Sequence, residues 1–384
     1  MIRYGFLILF PALASLAAAA GSANPFGLGR AQDIAARPMA LGGSYTGVAS
    51  DGSALYYNPA GLSAVKKHEL SLSLERSVIA GIDRAEGYPT TTLRQEDTRI
   101  QSLSWLLPVP ATRGGLTFAF GYYRPRTFAD VIGYQDALSA QRGGYAYRAE
   151  GGLAAWRAGM GIDLAPDISF GLAAGYVTGS EQITVDDSGT VGYLRNYDGL
   201  DLEPSLMFKL TPRLKLGLSL VLWEKIFNLE EVYEEKDVGN DETNYQARFP
   251  FQAKSGLAYQ GTSFLLAADA RLNGWSQYRY GPRSATTLQK AGYHDELILS
   301  VGGEKYIRPA NVVLRGGYTL NTLPETEFDP TYDLHRFSVG AGFLFSGALS
   351  LDFAYAYSFW GLAGDGLNLD NREHRALASF AYRY

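Results

Sequence analysis

The side chains that most often perform chemistry are sparse in this sequence. The chain has no cysteine, so a Cys nucleophile, a thiolate zinc site and a disulfide framework are excluded. Its histidines are scattered, at His68, His294, His335 and His374, and no two have the H-x-x-x-H spacing that can place both rings on one metal ion. No G-x-S-x-G nucleophile motif occurs. We therefore predict no enzyme activity, no catalytic residue, no metal site and no cofactor.

A second group of chemically capable residues consists of charges that stand between apolar residues. Acidic and basic side chains both occur at these positions, so we expect most of them to pair with one another. Arg248, Lys254 and Arg315 are the candidates for binding a ligand, because cationic groups can hold the carboxylate of a substrate. The net charge of −5 gives no reason to expect a nucleic-acid partner.

The positions of these charges follow a period of two. Leucine occupies every second position from Leu214 to Leu222, and the residues between are small, polar or β-branched. Successive side chains of a β-strand point to opposite faces, so one face of this strand is entirely leucine. We predict that Leu216, Leu218 and Leu220 face lipid and that Ser219 faces an interior.

Fourteen segments alternate in this way within residues 68–384. The links after every second segment are short and contain Pro or Gly, the residues of tight turns, as in residues 109–113. The other links are longer, roughly a dozen to two dozen residues, and this asymmetry is typical of transmembrane barrels. A sheet in hydrocarbon must also close, because an open edge leaves backbone groups unpaired. The predicted fold is all-β, a transmembrane antiparallel β-barrel of about 14 strands.

The first residues predict the cellular compartment. Arg3 precedes an apolar stretch from Tyr4 to Ala20, and small residues follow up to Ala23. A charged start, an apolar middle and a small-residue end are typical of a secretory signal peptide, here residues 1–23. Together with a barrel, this predicts the outer membrane of a Gram-negative bacterium, with outer-membrane lipid and lipopolysaccharide as surroundings.

Residues 24–67 do not alternate, and they are glycine-rich and moderately apolar. A domain of about forty residues is marginal on its own, so we predict that this segment packs inside the barrel as a plug. Gly42 and Gly43 indicate close backbone packing within it.

The run Asn58, Pro59, Ala60, Gly61 near the end of this segment is predicted to form a turn. Pro59 disfavours a helical Asn58, and Gly61 permits a positive φ. The turn either pins the segment to the first strand or contacts a ligand, and the sequence leaves both roles open.

Two stretches of this segment, RPMALGG at 37–43 and DGSALYYNPAGL at 51–62, resemble the hatch region of the FadL/TodX superfamily. The resemblance implies a plugged fourteen-stranded barrel that takes up hydrophobic small molecules, such as long-chain fatty acids or aromatic hydrocarbons, with exit through the barrel wall. The same stretches are at least as similar to the PorV/PorQ branch, which serves type IX protein secretion. That branch implies secretion-system proteins as partners, and both functions remain open.

Residues 126–147 are predicted to form an outer loop that carries apolar residues. Phe128, Ile132 and Tyr134 are the candidate ligand contacts there. Apolar groups on an exposed loop indicate a capture groove or a partner surface. Packing of the loop onto the barrel mouth explains the same residues equally well.

Overall fold

The computed structural model describes residues 29–85, 89–110, 113–134, 145–186, 190–223, 227–235, 239–290, 292–324, 329–345, 347–364 and 367–384. The predicted signal peptide, residues 1–23, lies outside these ranges. Within them, no helix is long and apolar enough to cross a membrane.

Fourteen long strands form one closed antiparallel sheet in the described part of the chain. Each strand pairs with the next along the chain, and the last pairs with the first from Arg383↔Glu69 to Leu367↔Ala85. The predicted fourteen-stranded antiparallel barrel is therefore confirmed. In chain order the strands are β1 (Glu69–Ala85), β2 (Thr91–Val109), β3 (Leu116–Thr127), β4 (Tyr145–Ala165), β5 (Ile168–Asp186), β6 (Thr190–Lys209), β7 (Leu214–Trp223), β8 (Gln252–Gln260), β9 (Phe264–Asn273), β10 (Glu296–Ile307), β11 (Val312–Asn321), β12 (Asp329–Phe345), β13 (Leu349–Gly364) and β14 (Leu367–Arg383).

The leucine face of β7 points away from the barrel interior. Leu218 and Leu220 are 38% and 37% exposed, whereas Ser219 is 6% exposed. The hydroxyl of Ser219 donates a hydrogen bond to Glu203 of the neighbouring strand β6, on the interior side of the wall. The register predicted from the leucine alternation is thus the observed one.

The two ends of the barrel differ, but less than the sequence predicted. Short turns join the strands at one end, with residues 166–167 between β4 and β5 and 210–213 between β6 and β7. At the other end β1 continues to Ala85 and β2 starts at Thr91, although the alternation predicted that these strands end near 78 and begin near 99. Apolar alternation stops where a strand leaves the apolar band, while backbone pairing continues. Much of the predicted long link is therefore strand.

Shorter strands extend the sheet at this end. The predicted outer loop 126–147 is partly strand, because Asp130–Tyr134 pairs with the start of β4. Further short strands are Phe227–Glu235, Gly239–Arg248, Arg279–Pro282 and Gln289–Lys290.

The segment before the barrel contains short helices, α1 (Ala36–Ala40), α2 (Ala54–Tyr57) and a 3-10 helix at Pro59–Ala64. Proline opens the 3-10 helix, where its missing N–H costs no hydrogen bond. Leu41 and Leu55 are fully buried and belong to one core cluster with Leu106 of β2 and Tyr123 of β3. The main core therefore lies between this segment and side chains on the inward face of the barrel.

Candidate functional site

Asn58 joins the N-terminal segment to the barrel wall. Its Nδ2 donates to the carbonyl oxygen of Thr46 at 2.9 Å and to that of Leu206 on β6 at 3.2 Å. Its Oδ1 accepts from the amide of Ala60 at 3.1 Å, and that amide lies 2.9 Å from the hydroxyl of Ser205. The amide side chain is used on both its donor and acceptor sides, which is the geometry of an anchor. The strand that it reaches is β6 and not the first strand.

Gly42 and Gly43 both have a left-handed backbone, with φ of 66° and 81°. Gly42 also lies against β11, where an added Cβ would stand 2.8 Å from the backbone N and O of Tyr318. The carbonyl oxygen of Gly42 accepts a hydrogen bond from the hydroxyl of Thr319 at 2.6 Å. A larger residue at Gly42 would meet both a strained φ and the wall.

Gly61 does not have the positive φ that the predicted turn allowed. It lies inside the 3-10 helix, where an added Cβ would stand 2.1 Å from the carbonyl oxygen of Ala49. Close approach of the backbone, and not a special conformation, requires glycine here. The preceding Ala60 packs equally closely against Gly171 of β5, whose added Cβ would stand 2.0 Å from the Ala60 nitrogen.

Arg37 links the N-terminal segment to β10. Its Nη2 and Nε lie 2.6 Å and 3.1 Å from the carboxylate oxygens of Glu304. Arg315 of β11, a predicted ligand contact, donates to the same carboxylate at 2.7 Å and to Asp352 at 2.6 Å. Nη1 of Arg37 also lies 3.3 Å from Asp51, and although burial raises the pKa of this carboxyl group, the positive charge of Arg37 holds it below its usual value. Arg315 is therefore engaged by two carboxylates.

Asp33 forms a second ionic connection between the segment and the wall. Its carboxylate accepts hydrogen bonds from Arg336 of β12 at 3.0 Å and from the hydroxyl of Tyr57 at 2.8 Å. Arg375 of β14 lies 3.9 Å from the same carboxylate and pairs with Glu75 of β1. Basic groups from β12 and β14 thus meet at one carboxylate of the segment.

Lys254, another predicted ligand contact, lies in a third ionic cluster. Its Nζ is 2.5 Å from Glu203 and donates to the carbonyl oxygen of Tyr56 at 2.9 Å. Arg157 of β4 donates to Glu203 and to Asp201, each at 2.6 Å. The Arg157 and Lys254 cations lie 5.7 Å and 5.5 Å from the centroid of the Tyr56 ring, within cation–π range.

Asp33, Arg37 and Arg157 are interior charges that the alternation of the sequence does not predict. Arg157 lies in a segment in which glycine and alanine obscure the alternation, so its face was not assigned. Asp33 and Arg37 precede every predicted strand, and no period assigns them a side. A usable signal existed for both, because a charge within an apolar, glycine-rich segment that must be buried requires a partner.

Phe128 lies in an interior aromatic cluster and not on an exposed loop. Its side chain is fully buried, and its ring centroid is 5.2 Å from that of Tyr197. Phe249 and Trp275 belong to the same cluster, with ring centroids 6.0 Å apart. The guanidinium of Arg126 lies 5.0 Å from the Trp275 ring centroid. The cluster gives the interior an apolar, aromatic lining at the end away from the short turns.

The remaining loop and lumen candidates have different positions. Ile132 and Tyr134 pair with β4 through their backbones, and their side chains lie outside the described part of the structure. Arg248 is exposed, while the residues on both sides of it are buried. The predicted interior position of Arg248 is therefore wrong. The strand ends there and β8 begins only at Gln252, so one alternation does not run through both.

The barrel wall is discontinuous between β2 and β3. Among the described residues, these strands pair no further than Ser102↔Tyr123. The residues at the end of β3 pair instead with Arg30–Ala31 from the N-terminal segment. The next strand, Asp130–Tyr134, lies against Gly81 of β1, where an added Cβ would stand 2.5 Å from a carbonyl oxygen of that strand. The chain thus turns away from β2 beyond Tyr123.

The outer surface beside this discontinuity is indented. A concavity of about 1040 Å³ is lined by residues from each of the strands β1 to β7. Small residues, among them Gly121, Ala158, Ala174 and Gly175, leave this depression between the larger side chains around it. Its outward-facing side chains are apolar or aromatic, among them Leu103, Trp105, Phe120, Tyr122, Trp156 and Leu202.

Comparison with solved structures identifies the architecture. A Pseudomonas aeruginosa FadL homologue superposes with a TM-score of 0.71 at 15% identity, covering 92% of this chain and 99% of its own. The P. putida toluene transporter TodX gives a TM-score of 0.66 at 15% identity, covering 93% and 99%. The Ralstonia pickettii toluene transporter TbuX gives 0.63 at 16% identity, covering 94% and 99%. No family model and no curated sequence matches the chain.

The closed sheet of fourteen strands, with a buried segment bonded to its inward face, defines a β-barrel of the architecture seen in those transporters. The fold of this chain is FadL/TodX-like, and the predicted resemblance is confirmed at that level. At such low identity the likeness concerns the fold alone.

Proposed function

We propose that this protein is an outer-membrane channel for the uptake of hydrophobic small molecules, such as long-chain fatty acids or aromatic hydrocarbons. The fold supports this, because solved structures with the same architecture are described as toluene transporters. The main support is the set of hydrogen bonds that the N-terminal segment makes with inward-facing groups around the barrel. Its partners are Glu69 of β1, Ser205 of β6, Asp269 of β9, Thr319 of β11 and Ser379 of β14.

In this proposal residues 1–23 are a signal peptide, residues 24–67 are the plug and residues 68–384 are the barrel. A segment bonded to strands on all sides blocks a continuous aqueous path along the barrel axis. Its polar attachments are hydrogen bonds and ion pairs, which can exchange partners, and its apolar attachment is the core cluster that contains Leu41 and Leu55. Displacement of the plug, in whole or in part, is then the gating step.

The proposed route follows the apolar surfaces. A solute leaves water at the partly buried Tyr245, Tyr280 and Tyr293, which pack against the aromatic cluster around Phe128 and Trp275, because burial of its apolar surface is favourable. It then passes the separation of β2 and β3 beyond Tyr123 and leaves sideways along the indented wall. Lateral exit spares an apolar solute a second transfer through water.

The direct test is uptake by intact cells of a strain that lacks the gene. We expect slower uptake of labelled toluene or labelled oleate, restored by the gene on a plasmid, with uptake of a labelled sugar unchanged. Unchanged uptake across a broad panel of hydrophobic solutes would contradict the proposal. The PorV-like alternative has no support from the described contacts or from the structures compared above.

A further inference from the structure

A basic patch lies on the outward face of β1, β2 and β14. Arg76 and Arg84 on β1, Arg94 on β2 and Arg372 on β14 all have exposed side chains on this face. The side chains of Arg76, Arg84 and Arg94 are 58%, 50% and 62% exposed. These residues take no part in the interior contacts described above, so those contacts do not explain their presence on the outer face.

The strand register brings two of these arginines to opposite sides of one small residue. Ala80 of β1 pairs with Arg94 of β2 on one side and with Arg372 of β14 on the other. Neighbouring strands lie slightly less than 5 Å apart, so the Cα atoms of the two arginines are about 10 Å apart. Each side chain can reach more than half of that distance, and the methyl group of Ala80 leaves a shallow floor between them. Both guanidinium groups can therefore meet on one anion.

Acidic residues neutralise only part of this patch. Glu96 pairs with Arg76 and, at 2.7 Å, with Arg94, so one carboxylate serves two arginines. Asp370 pairs with Arg84. Each guanidinium has five N–H donors, and a carboxylate occupies at most two of them. Among the described residues of this patch, four arginines and two carboxylates leave two positive charges and many unused donors.

The patch lies at the outer limit of the apolar band. Leu70, Leu72 and Leu74 face outward on β1 before Arg76, and Arg84 lies near the end of that strand. A tilted strand crosses the hydrocarbon in about 9–11 residues, so β1 leaves it between Arg76 and Arg84. Short turns mark the periplasmic side of a barrel, and the patch is at the opposite end. The groups that meet it are those of the outer leaflet.

We propose that this patch binds the phosphate groups of lipid A, the phosphorylated glycolipid of the outer leaflet. Phosphate accepts bidentate hydrogen bonds from guanidinium, which suits a pair of arginines that converge over Ala80. Below Arg372, the outward residues Ala376 and Ala378 form a low strip between Leu74 of β1 and Phe353 of β13, along which acyl chains can lie. The inference rests on the outer-membrane placement in the proposed function.

The test measures lipid binding by the full-length protein in detergent micelles with native mass spectrometry. The probes are bisphosphorylated lipid A and the same lipid A after removal of both phosphates. Arg94→Gln/Arg372→Gln should bind bisphosphorylated lipid A at least about tenfold more weakly than the wild type, because charge-assisted hydrogen bonds are lost. The matched control is Arg113→Gln/Arg213→Gln, which removes two exposed charges at the turn end and should leave binding unchanged.

Three results would overturn the assignment. Equal binding of the dephosphorylated lipid would show that these arginines do not recognise phosphate. An equal loss of lipid A binding in both double variants would show the same. Equal affinity for phosphatidylglycerol would show a general anionic-lipid surface and exclude lipid A as the specific partner. Heat-modifiable migration in gel electrophoresis confirms that each variant is folded. Loss of lipid A binding with normal solute uptake would support the lipid A site without testing transport. Normal uptake in the deletion strain would contradict the proposed transport without testing the lipid A site.

Discussion

Lys254 and Glu203 form a buried ion pair beneath the backbone of Tyr56, with Nζ 2.5 Å from the carboxylate and 2.9 Å from the Tyr56 carbonyl oxygen. The lysine is thus the link through which β8 holds both β6 and the N-terminal segment. A substrate carboxylate could use this ammonium group only by displacing Glu203, which would then keep Arg157 as its cationic partner. The pair is therefore better suited to holding the segment in place than to receiving a ligand.

The first prediction concerns this pair. Lys254→Met should lower the free energy of unfolding by about 1–3 kcal/mol, because a buried carboxylate loses a charged partner. Adding Glu203→Gln should recover part of the loss, since the remaining group is then neutral. Urea titrations of the barrel in lipid vesicles measure both effects. If Lys254 instead receives a substrate carboxylate, Lys254→Met will reduce oleate uptake while toluene uptake and stability remain normal.

The second prediction tests whether the N-terminal segment moves during transport. The chain has no cysteine, so an introduced pair has no competitor for disulfide formation. The Ala60 amide lies 2.9 Å from the Ser205 hydroxyl, which places these two positions within reach of a disulfide bond. Oxidised Ala60→Cys/Ser205→Cys should block uptake of toluene, and dithiothreitol should restore it.

A matched control links two strands of the barrel wall to each other instead of linking the N-terminal segment to the wall. Ser71 and Ser104 face each other on β1 and β2, with hydroxyl oxygens 2.6 Å apart. Ser71→Cys/Ser104→Cys should therefore leave uptake normal in both redox states. Full uptake by the oxidised Ala60→Cys/Ser205→Cys protein would show that the N-terminal segment is not displaced at this point.

The third prediction is that residues 24–55 occlude the barrel. Their deletion should leave a folded barrel, because the closed strand ladder does not include them. Conductance of single channels in planar bilayers should rise, since the vacated interior would fill with water. A correctly folded deletion protein with wild-type conductance would mean that these residues do not block the path, and the gating proposal would lose its physical basis.

The fourth prediction concerns close packing at Gly61. Gly61→Ala should destabilise the segment by about 1–3 kcal/mol, as overpacking typically does, because the new methyl group would stand 2.1 Å from the carbonyl oxygen of Ala49. The control is Gly316→Ala, whose nearest neighbour would be 3.9 Å away. Protease cleavage within residues 24–67 should become faster in Gly61→Ala only. Equal cleavage of both variants would mean that this contact does not hold the segment.

The fifth prediction concerns the lipid face of β7. Leu218→Arg should cost about 2–4 kcal/mol of folding free energy if it lies near the bilayer midplane. Leu210 is 52% exposed in the turn before β7, where the same change to arginine should cost about 0–1 kcal/mol. Folding yields into lipid vesicles compare the two variants. Similar yields would show that Leu218 does not face hydrocarbon.

The alternation of residue types is sufficient to locate the strands and to assign most of their faces. The backbone of a strand sends successive side chains to opposite sides, so the leucines at 216, 218 and 220 were assigned outward without knowledge of any partner. Strand ends were predicted less well, because β1 continues beyond residue 78 through residues that lack an apolar face. Arg248 was placed on the wrong side because a break before Gln252 interrupts the alternation.

The partners of the interior charges depend on the tertiary structure. Arg37 meets Glu304 across 267 residues of chain, and Asp33 meets Arg336 across 303. No local period relates such residues, because their contact exists only after the sheet has closed around the N-terminal segment. Strand register is likewise set between strands and not within one. It determines where β2 and β3 separate, and it places Arg94 and Arg372 on either side of Ala80.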